Sequence, residues 1–486
     1  MKKITTLILA TSLWVQSGHA DNLTVEQVLQ QVVDYYPSIK GATLQVEKAR
    51  QDNLRVQSQL GWQLTLRGGA TREYTLLGTT VDTLSTVGNL SKLTRSGSTL
   101  GVRAEHRRDE SAITVLPTLP NPLSTTNADI SYRVPLGKGK GNPAYAEGLT
   151  GAGVNLRLAQ AEEQRLYDLL ASQVIDLHLA AKTTLERIHN TKQSLERSQR
   201  LQKYIKTQSR LGIAEDKDLL QVAAQLNNQR AQLKALEMAW AQQEISLNRL
   251  MGRPWNSTFT PMLATNTSLP DRDIDDLFKE VAQHSPSLVS AQARITLADS
   301  TIKTQRDSRK DKLDLVMTLG KRTRVGDTID GGSYESDNVG SINIEFTRSL
   351  DKQGLNAELY QARLDRSIAI QDRQQALNDL RYELASLLAE FKIGQTALGA
   401  YRISLKSEHA KLNEALNRYK QGRTDTDQLI QFENELSATE LALALHRIEL
   451  QRRYYRLVLI RGQLWKGIAR PTITLPAKDI EGRQKG

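Results

Sequence analysis

Asp129-Ile130-Ser131-Tyr132-Arg133-Val134-Pro135-Leu136, running on into the glycine–lysine stretch that ends at Gly141, is the passage on which the fold turns. Ile130, Tyr132 and Val134 alternate with Asp129, Ser131 and Arg133, as one apolar and one polar face of a strand require. A helical pattern of about 67 residues, roughly 100 Å at 1.5 Å per residue, follows at once. The passage has a counterpart later in the chain, where a shift of 214 takes Leu136 to Leu350 and Asn142 to Asn356. Before the strands the shift is 249, taking Val25 to Ile274, Val32 to Val281 and Pro37 to Pro286. Near the ends of the long helices it is 210, taking Gly212 to Gly422, Leu219 to Leu429 and Gly252 to Gly462. A duplication this long, mixing short strands with very long helices, points to one symmetric object.

Each repeat holds two strands of this kind. Trp62, Leu64 and Leu66 oppose Gln63, Thr65 and Arg67 in the first; Leu313, Leu315, Met317 and Leu319, then Ile342, Ile344 and Phe346, form the apolar faces of the second. The fall in shift from 249 to 214 places about 35 extra residues between the first two strands, including the strand-like stretch Thr99 to His106. Helices before and after the strands must lie on one side of a membrane, so crossings per repeat are even. The expectation is two per repeat, with residues 76–126 an enlarged outer loop carrying local hairpin structure. Its counterpart, Gly326 to Asn338, is rich in Gly, Asp and Ser and reads as a short loop.

The long helices carry coiled-coil seams: Tyr167, Leu170, Val174, Leu177 and Ala181 in the first half, Leu377, Leu380, Leu384, Leu387 and Phe391 in the second. Each turns at a glycine and returns through a second seam, so each half ends in an antiparallel helical hairpin. The expected first repeat therefore spans 21–262, with a helix over 23–60 broken or kinked at Pro37 after Tyr36, strands near 61–75 and 127–136, and a hairpin over 143–251. The second spans 263–470, with a helix over 271–310, strands near 311–325 and 339–350, and a hairpin over 354–466; 471–486 is a tail.

Residues 1–20 read as an export signal: Lys2 and Lys3, an apolar run from Ile4 to Val15, and the small-x-Ala site Gly18-His19-Ala20. No later stretch is apolar enough for a transmembrane helix, so any membrane entry is by strands. The chain has no cysteine, which excludes a disulfide framework and thiolate chemistry. Without Lys2 and Lys3 the 65 basic residues become 63 against 54 acidic, spread along helices as solvated faces, which argues against nucleic-acid binding. The six histidines after the signal show no ligand spacing, so no metal site is expected. No phosphate-binding loop is present; Gly137-Lys138-Gly139-Lys140-Gly141 has the wrong spacing and reads as a basic strand-to-helix turn. Neither a cofactor nor an enzymatic activity is expected.

The order of these features resembles the TolC-like outer-membrane efflux protein family over about residues 22–470. The features that carry the likeness are Pro37-Ser38 and Pro286-Ser287, Val134-Pro135-Leu136 with the run to Gly141, Gly422 with Asn434-Glu435-Leu436, and the helix ends at Gly252 and Gly462. The resemblance implies a mixed α/β membrane protein, mainly α. In the family, a homotrimer gives four strands per protomer to a 12-stranded outer-membrane β-barrel, continuous with a periplasmic α-helical barrel. It implies a passive exit duct of a tripartite efflux or type I secretion system, set in outer-membrane lipid. Its partners are a periplasmic adaptor and an inner-membrane pump of ABC or RND type. Arg210, Leu211, Gly212, Gln421, Gly422 and Arg423 match the family's adaptor-docking tips. The family's constriction carries acidic residues just beyond the second tip; counting from Gly422, the matching positions here are the neutral Gln428 and Gln431. Either Asp425 or Asp427 takes over that role, or the entrance is only weakly selective. Those two, with Glu215, Asp216 and Asp218 at the first tip, also suit helix capping. A periplasmic coiled-coil scaffold without a pore is the alternative, but it leaves the duplicated strands unexplained.

Overall fold

The computed structural model describes residues 21–74, 78–112, 120–210, 215–264, 272–328, 330–421 and 423–470. In chain order the elements are β1 (Asp21–Leu23), α1 (Val25–Tyr35), α2 (Pro37–Ser58), β2 (Trp62–Tyr74), β3 (Thr80–Leu93), β4 (Thr99–Ser111) and β5 (Leu123–Pro135). Then come α3 (Pro143–Arg210), α4 (Asp216–Met251), β6 (Phe259–Pro261), α5 (Ile274–His284), α6 (Pro286–Ser308), β7 (Lys312–Thr328) and β8 (Gly331–Thr347). The last are α7 (Gln353–Lys420), α8 (Thr426–Ile460) and a 3-10 turn at Leu464–Gly467. The helix expected over 23–60 breaks at Tyr36 before Pro37, and the one over 271–310 breaks at Ser285 before Pro286, because a residue preceding proline is driven out of the helical region. Thr24 is the cap of α1: its Oγ1 accepts from the Gln27 amide at 3.4 Å while Gln27 Oε1 accepts from the Thr24 amide at 2.9 Å.

The chain divides into two compact units. One, Leu44–Glu162 with Pro286–Leu377, holds a six-stranded antiparallel sheet of order β2-β3-β4-β5-β7-β8. Two expectations are corrected here. Residues 76–126 are not mainly loop: β3 and β4 lie in that stretch and pair with each other and with β2 and β5 over eleven or more register positions each. The chain thus has six strands in this sheet, not the four expected of it. Gly326 to Asn338 is likewise not a loop, since β7 runs to Thr328 and β8 begins at Gly331. The physical reason is common to both. These segments are rich in Thr, Ser, Gly and charge on both faces, so the apolar alternation that betrays a strand is diluted while the backbone ladder persists. The number of strands in this sheet is even in each half, four in the first and two in the second.

The turn joining β3 to β4 is stitched to the segment that leads into α3. Gly141 donates its amide to the Ser96 carbonyl at 2.9 Å, and Asn142 Nδ2 donates to the Thr94 carbonyl at 3.2 Å. The buried carboxylate of Asp307 holds the glycine–lysine turn by accepting from the Gly139 amide at 2.7 Å. On the polar face of the sheet Arg133 bridges Asp314 at 2.7 Å and Glu345 at 2.8 Å.

The other unit comprises Met1–Thr43, Glu163–Ser285 and Asn378–Gly486. Its core gathers Val28, Leu29, Val32, Tyr167, Val174, Ile175, Leu179, Leu247, Tyr455 and Trp465, each large aliphatic worth about 1.5–3 kcal/mol when fully buried. Tyr167 and Trp465 meet edge to face with centroids 5.2 Å apart, and the indole donates to Asp168 at 2.8 Å. β1 and β6 add a short parallel pair that the sequence reading missed. Among the described residues no helix is long and apolar enough to cross a membrane.

Candidate functional site

The expected site lies where each helical hairpin turns. Leu211, Gly212 and Gly422 fall outside the described residues; Arg210 closes α3, and Gln421 and Arg423 flank the turn after α7. The amides of Gln421 and Arg423 both donate to the Arg418 carbonyl, at 3.0 and 2.9 Å, closing the C-terminal end of α7. Asp425 is the N-cap of α8: its Oδ1 accepts from the Gln428 amide at 2.8 Å, so this carboxylate is engaged by the backbone before it can act on a passing ion. Asp427, Gln428 and Gln431 come together on an exposed face of the first two turns of α8. There Gln431 Nε2 donates to Glu435 at 2.8 Å, and Glu435 in turn pairs with Lys411. Hydrogen bonding to Lys411 first, then to Gln431, holds the Glu435 carboxyl below its ordinary range. At the first hairpin, Asp218 accepts from the Glu215 amide at 3.2 Å, which assigns these acids to starting α4.

Behind these ends the hairpins are locked together by apolar and polar contacts. Tyr204 of α3 and Tyr419 of α7 have ring centroids 5.9 Å apart, and the Tyr419 hydroxyl meets that of the buried Thr426 at 2.9 Å. Ile205, Val222 and Leu226 pack with Leu201, Tyr419 and Ile430. Farther along, a buried polar network crosses from α3 and α4 to α8. Arg197 donates through Nε to Glu433 at 2.5 Å and through Nη2 to Glu440 at 3.0 Å. Asn190 exchanges bonds with Ser437, and Gln229 donates to Ser194. Burial pushes the Glu433 carboxyl up, opposed by the Arg197 guanidinium. A polar cleft of about 330 Å³ lies beside it, lined in part by Asn190, Ser194, Gln229 and Ser437.

The sequence reading missed this network, although a signal was present: Glu433 lies four residues after Leu429 and three before Leu436, a carboxylate at seam spacing. Among the described residues no three His, Cys, Asp or Glu side chains gather as a metal site requires.

Comparisons with known proteins agree on this architecture. Residues 277–463 match the family model described as outer membrane efflux protein. The outer-membrane channel OprN superposes with a TM-score of 0.68 over 90% of this chain and 90% of that one, at 16% identity. CusC, whose structures concern folding and transmembrane channel formation, gives 0.65 over 93% and 95%, at 15% identity. The outer membrane protein VceC of Vibrio cholerae gives 0.64 over 90% and 95%, at 14% identity. None of the curated proteins matches the chain in sequence. Residues 277–463 thus carry the signature of the outer membrane efflux proteins, within a chain that has the fold of the outer-membrane channels.

Proposed function

We propose that this chain is an outer-membrane export duct: a passive, water-filled conduit formed by three copies. It receives cargo from an inner-membrane pump through a periplasmic adaptor that engages the hairpin ends. One observation carries the reading. A sheet with one apolar and one polar face, open at its two edge strands β2 and β8, is joined in both halves to helices of 68 residues, about 100 Å long. Unpaired backbone at a sheet edge is intolerable in hydrocarbon, so a membrane-embedded sheet of this size must close with further copies. The helices, with charge at close intervals on their exposed faces, suit a tube wet inside and out. Arg210, Gln421 and Arg423 at the hairpin ends are the adaptor contacts in this reading, with Leu211, Gly212 and Gly422. Asp427, Gln428 and Gln431 face the entrance, with Asp425 fixed as a cap. Work is done by the pump; no side-chain constellation here is asked to perform chemistry.

The test is single-channel recording of the purified protein in a planar bilayer. Discrete, long-lived conductance steps from a trimer are expected, and Asp427→Ala should reduce cation preference. Protein that is folded but never inserts would leave the pore-free scaffold as the surviving reading.

A further inference from the structure

The six-stranded sheet carries a consequence for the size of the conduit, resting on the reading of a trimeric outer-membrane channel. We infer that the hairpin β3–β4 is part of the lipid-facing wall, and that three copies close an eighteen-stranded barrel with a second copy of this chain on each edge.

Three observations carry it. The first is register. Leu64, Leu90, Val102, Ile130 and Leu319 are successive partners across β2, β3, β4, β5 and β7, one row of apolar side chains on one face. The next row on that face is Trp62, Lys92, Leu100, Tyr132, Met317 and Ile342, broken only by a lysine whose ammonium lies 5.5 Å from the Trp62 ring centroid. On the opposite face Gln63, Ser91, Gly101, Ser131, Thr318 and Ser341 form a polar row through the same six strands. The hairpin therefore continues both the lipid-compatible and the water-compatible faces, which an outer loop has no need to do.

The second is span. Chain direction puts the β3–β4 turn at the helix end of the sheet, where Ser96 and Thr94 accept from Gly141 and Asn142. The hairpin thus runs the full height of β2 and β5. At the other end the apolar face of β2 and β3 gives way to an ion pair, where Arg72 forks onto both oxygens of Asp82 at 2.5 and 2.6 Å.

The third is edge chemistry. β2 and β8 are the edge strands, exposed along nearly their whole length. They run in opposite directions, so β8 of one copy meets β2 of the next in the same antiparallel sense as every other pair in the sheet. With strands about 4.8 Å apart and tilted by about 40°, eighteen enclose a backbone cylinder about 36 Å across, against about 24 Å for twelve. Cross-section grows about 2.2-fold, so selection by size falls to the helical part of the conduit and not to the strand-lined part.

The chain has no cysteine, so single thiols report position cleanly. Fluorophores at Leu64→Cys, Leu90→Cys, Val102→Cys and Ile344→Cys, in bilayers of nitroxide-labelled phosphatidylcholine, should all be quenched several-fold more strongly than at Ser91→Cys or Arg103→Cys. The double variant Leu90→Cys/Val102→Cys should form a disulfide and Leu64→Cys/Ile130→Cys should not, being three strand spacings or about 14 Å apart. If Leu64 and Ile344 meet lipid while Leu90 and Val102 do not, and the Leu64–Ile130 disulfide forms, the wall has twelve strands. The inference then falls and the export duct stands. If none of the four meets lipid, the duct itself falls.

Discussion

Replacing Arg197 with methionine removes the only cation in contact with Glu433 among the described residues, a carboxylate whose side chain is 9% exposed. Stripping one partner from a buried pair typically costs about 3–5 kcal/mol. Two features lower that here. The Ser194 hydroxyl still donates to Glu433 at 3.4 Å, and it lines a polar cleft of about 330 Å³. Glu433 can also escape by taking up a proton: from an ordinary carboxyl pKa that costs at most about 3.7 kcal/mol at pH 7, and burial has already moved its pKa upward. The expected cost is therefore about 2–3 kcal/mol at pH 7, falling as the pH is lowered toward 5 and protonation becomes cheaper. Glu440 suffers less, since Asn190 and His409 remain near it.

Native-state hydrogen exchange of the α8 amides from Leu429 to Glu440 reads this directly, as a loss of protection of about 30- to 150-fold at pH 7. Arg197→Met/Glu433→Leu should recover most of it, because an apolar pair of similar volume avoids desolvating two charges. Losses that simply add in the double variant, or that do not shrink between pH 7 and pH 5, would refute the coupling.

Three further outcomes follow from the geometry. His178 is fully buried, with Nε2 donating to the Met262 carbonyl at 3.1 Å, and burial depresses its pKa below the ordinary 6.5. The stability this neutral ring contributes is complete above about pH 6.5 and is lost as pH falls toward the depressed folded value, by up to about 1.4 kcal/mol per pH unit. His178→Leu should flatten that acid limb in thermal unfolding, and an unchanged slope would exclude His178 as its source. Gly252 and Gly462 both end helices at positive φ, +69° and +64°. A methyl at 252 would collide with the Tyr35 ring, whereas at 462 it meets His284 Cβ at an ordinary 3.6 Å. Gly252→Ala should cost about 2–3 kcal/mol and Gly462→Ala about 1; equal losses of melting temperature would contradict the packing argument. Asp425→Ala should cost about 1 kcal/mol through the lost cap, seen as faster exchange at the Gln428 amide with little change in ion selectivity.

The helical seams were legible because burial on a long helix follows one periodicity without interruption: Tyr167, Leu170, Val174, Leu384, Leu387 and Phe391 are all at most 9% exposed. Strands were legible only where one face is aliphatic, as at Leu313 to Leu319 or Ile342 to Phe346. Where Arg103, Glu105, Arg107 and Asp109 share a face in β4, alternation survives but no longer contrasts with its surroundings. The ladder that holds such a strand is made by backbone groups, and composition does not report it. The capping acids were readable, since Asp425 and Asp218 start helices through local rules. The Arg197–Glu433 pair was not, because its partners are 236 positions apart in the chain.

The two halves differ by the β3–β4 hairpin, and parity accounts for the form of that difference. Inserting a single strand into one repeat would carry α3 to the opposite side of the sheet and destroy the helical hairpins. Inserting two returns the chain to the side from which it left. A hairpin is thus the smallest insertion that widens the sheet while leaving the helices where they were, and β3–β4 has that form, its turn hydrogen-bonded to the start of α3. The second repeat lacks it, and its β7 and β8 pair over seventeen positions without any third partner between them. Under the proposed barrel, wall circumference can therefore change without moving the helices, and only in steps of two strands per copy.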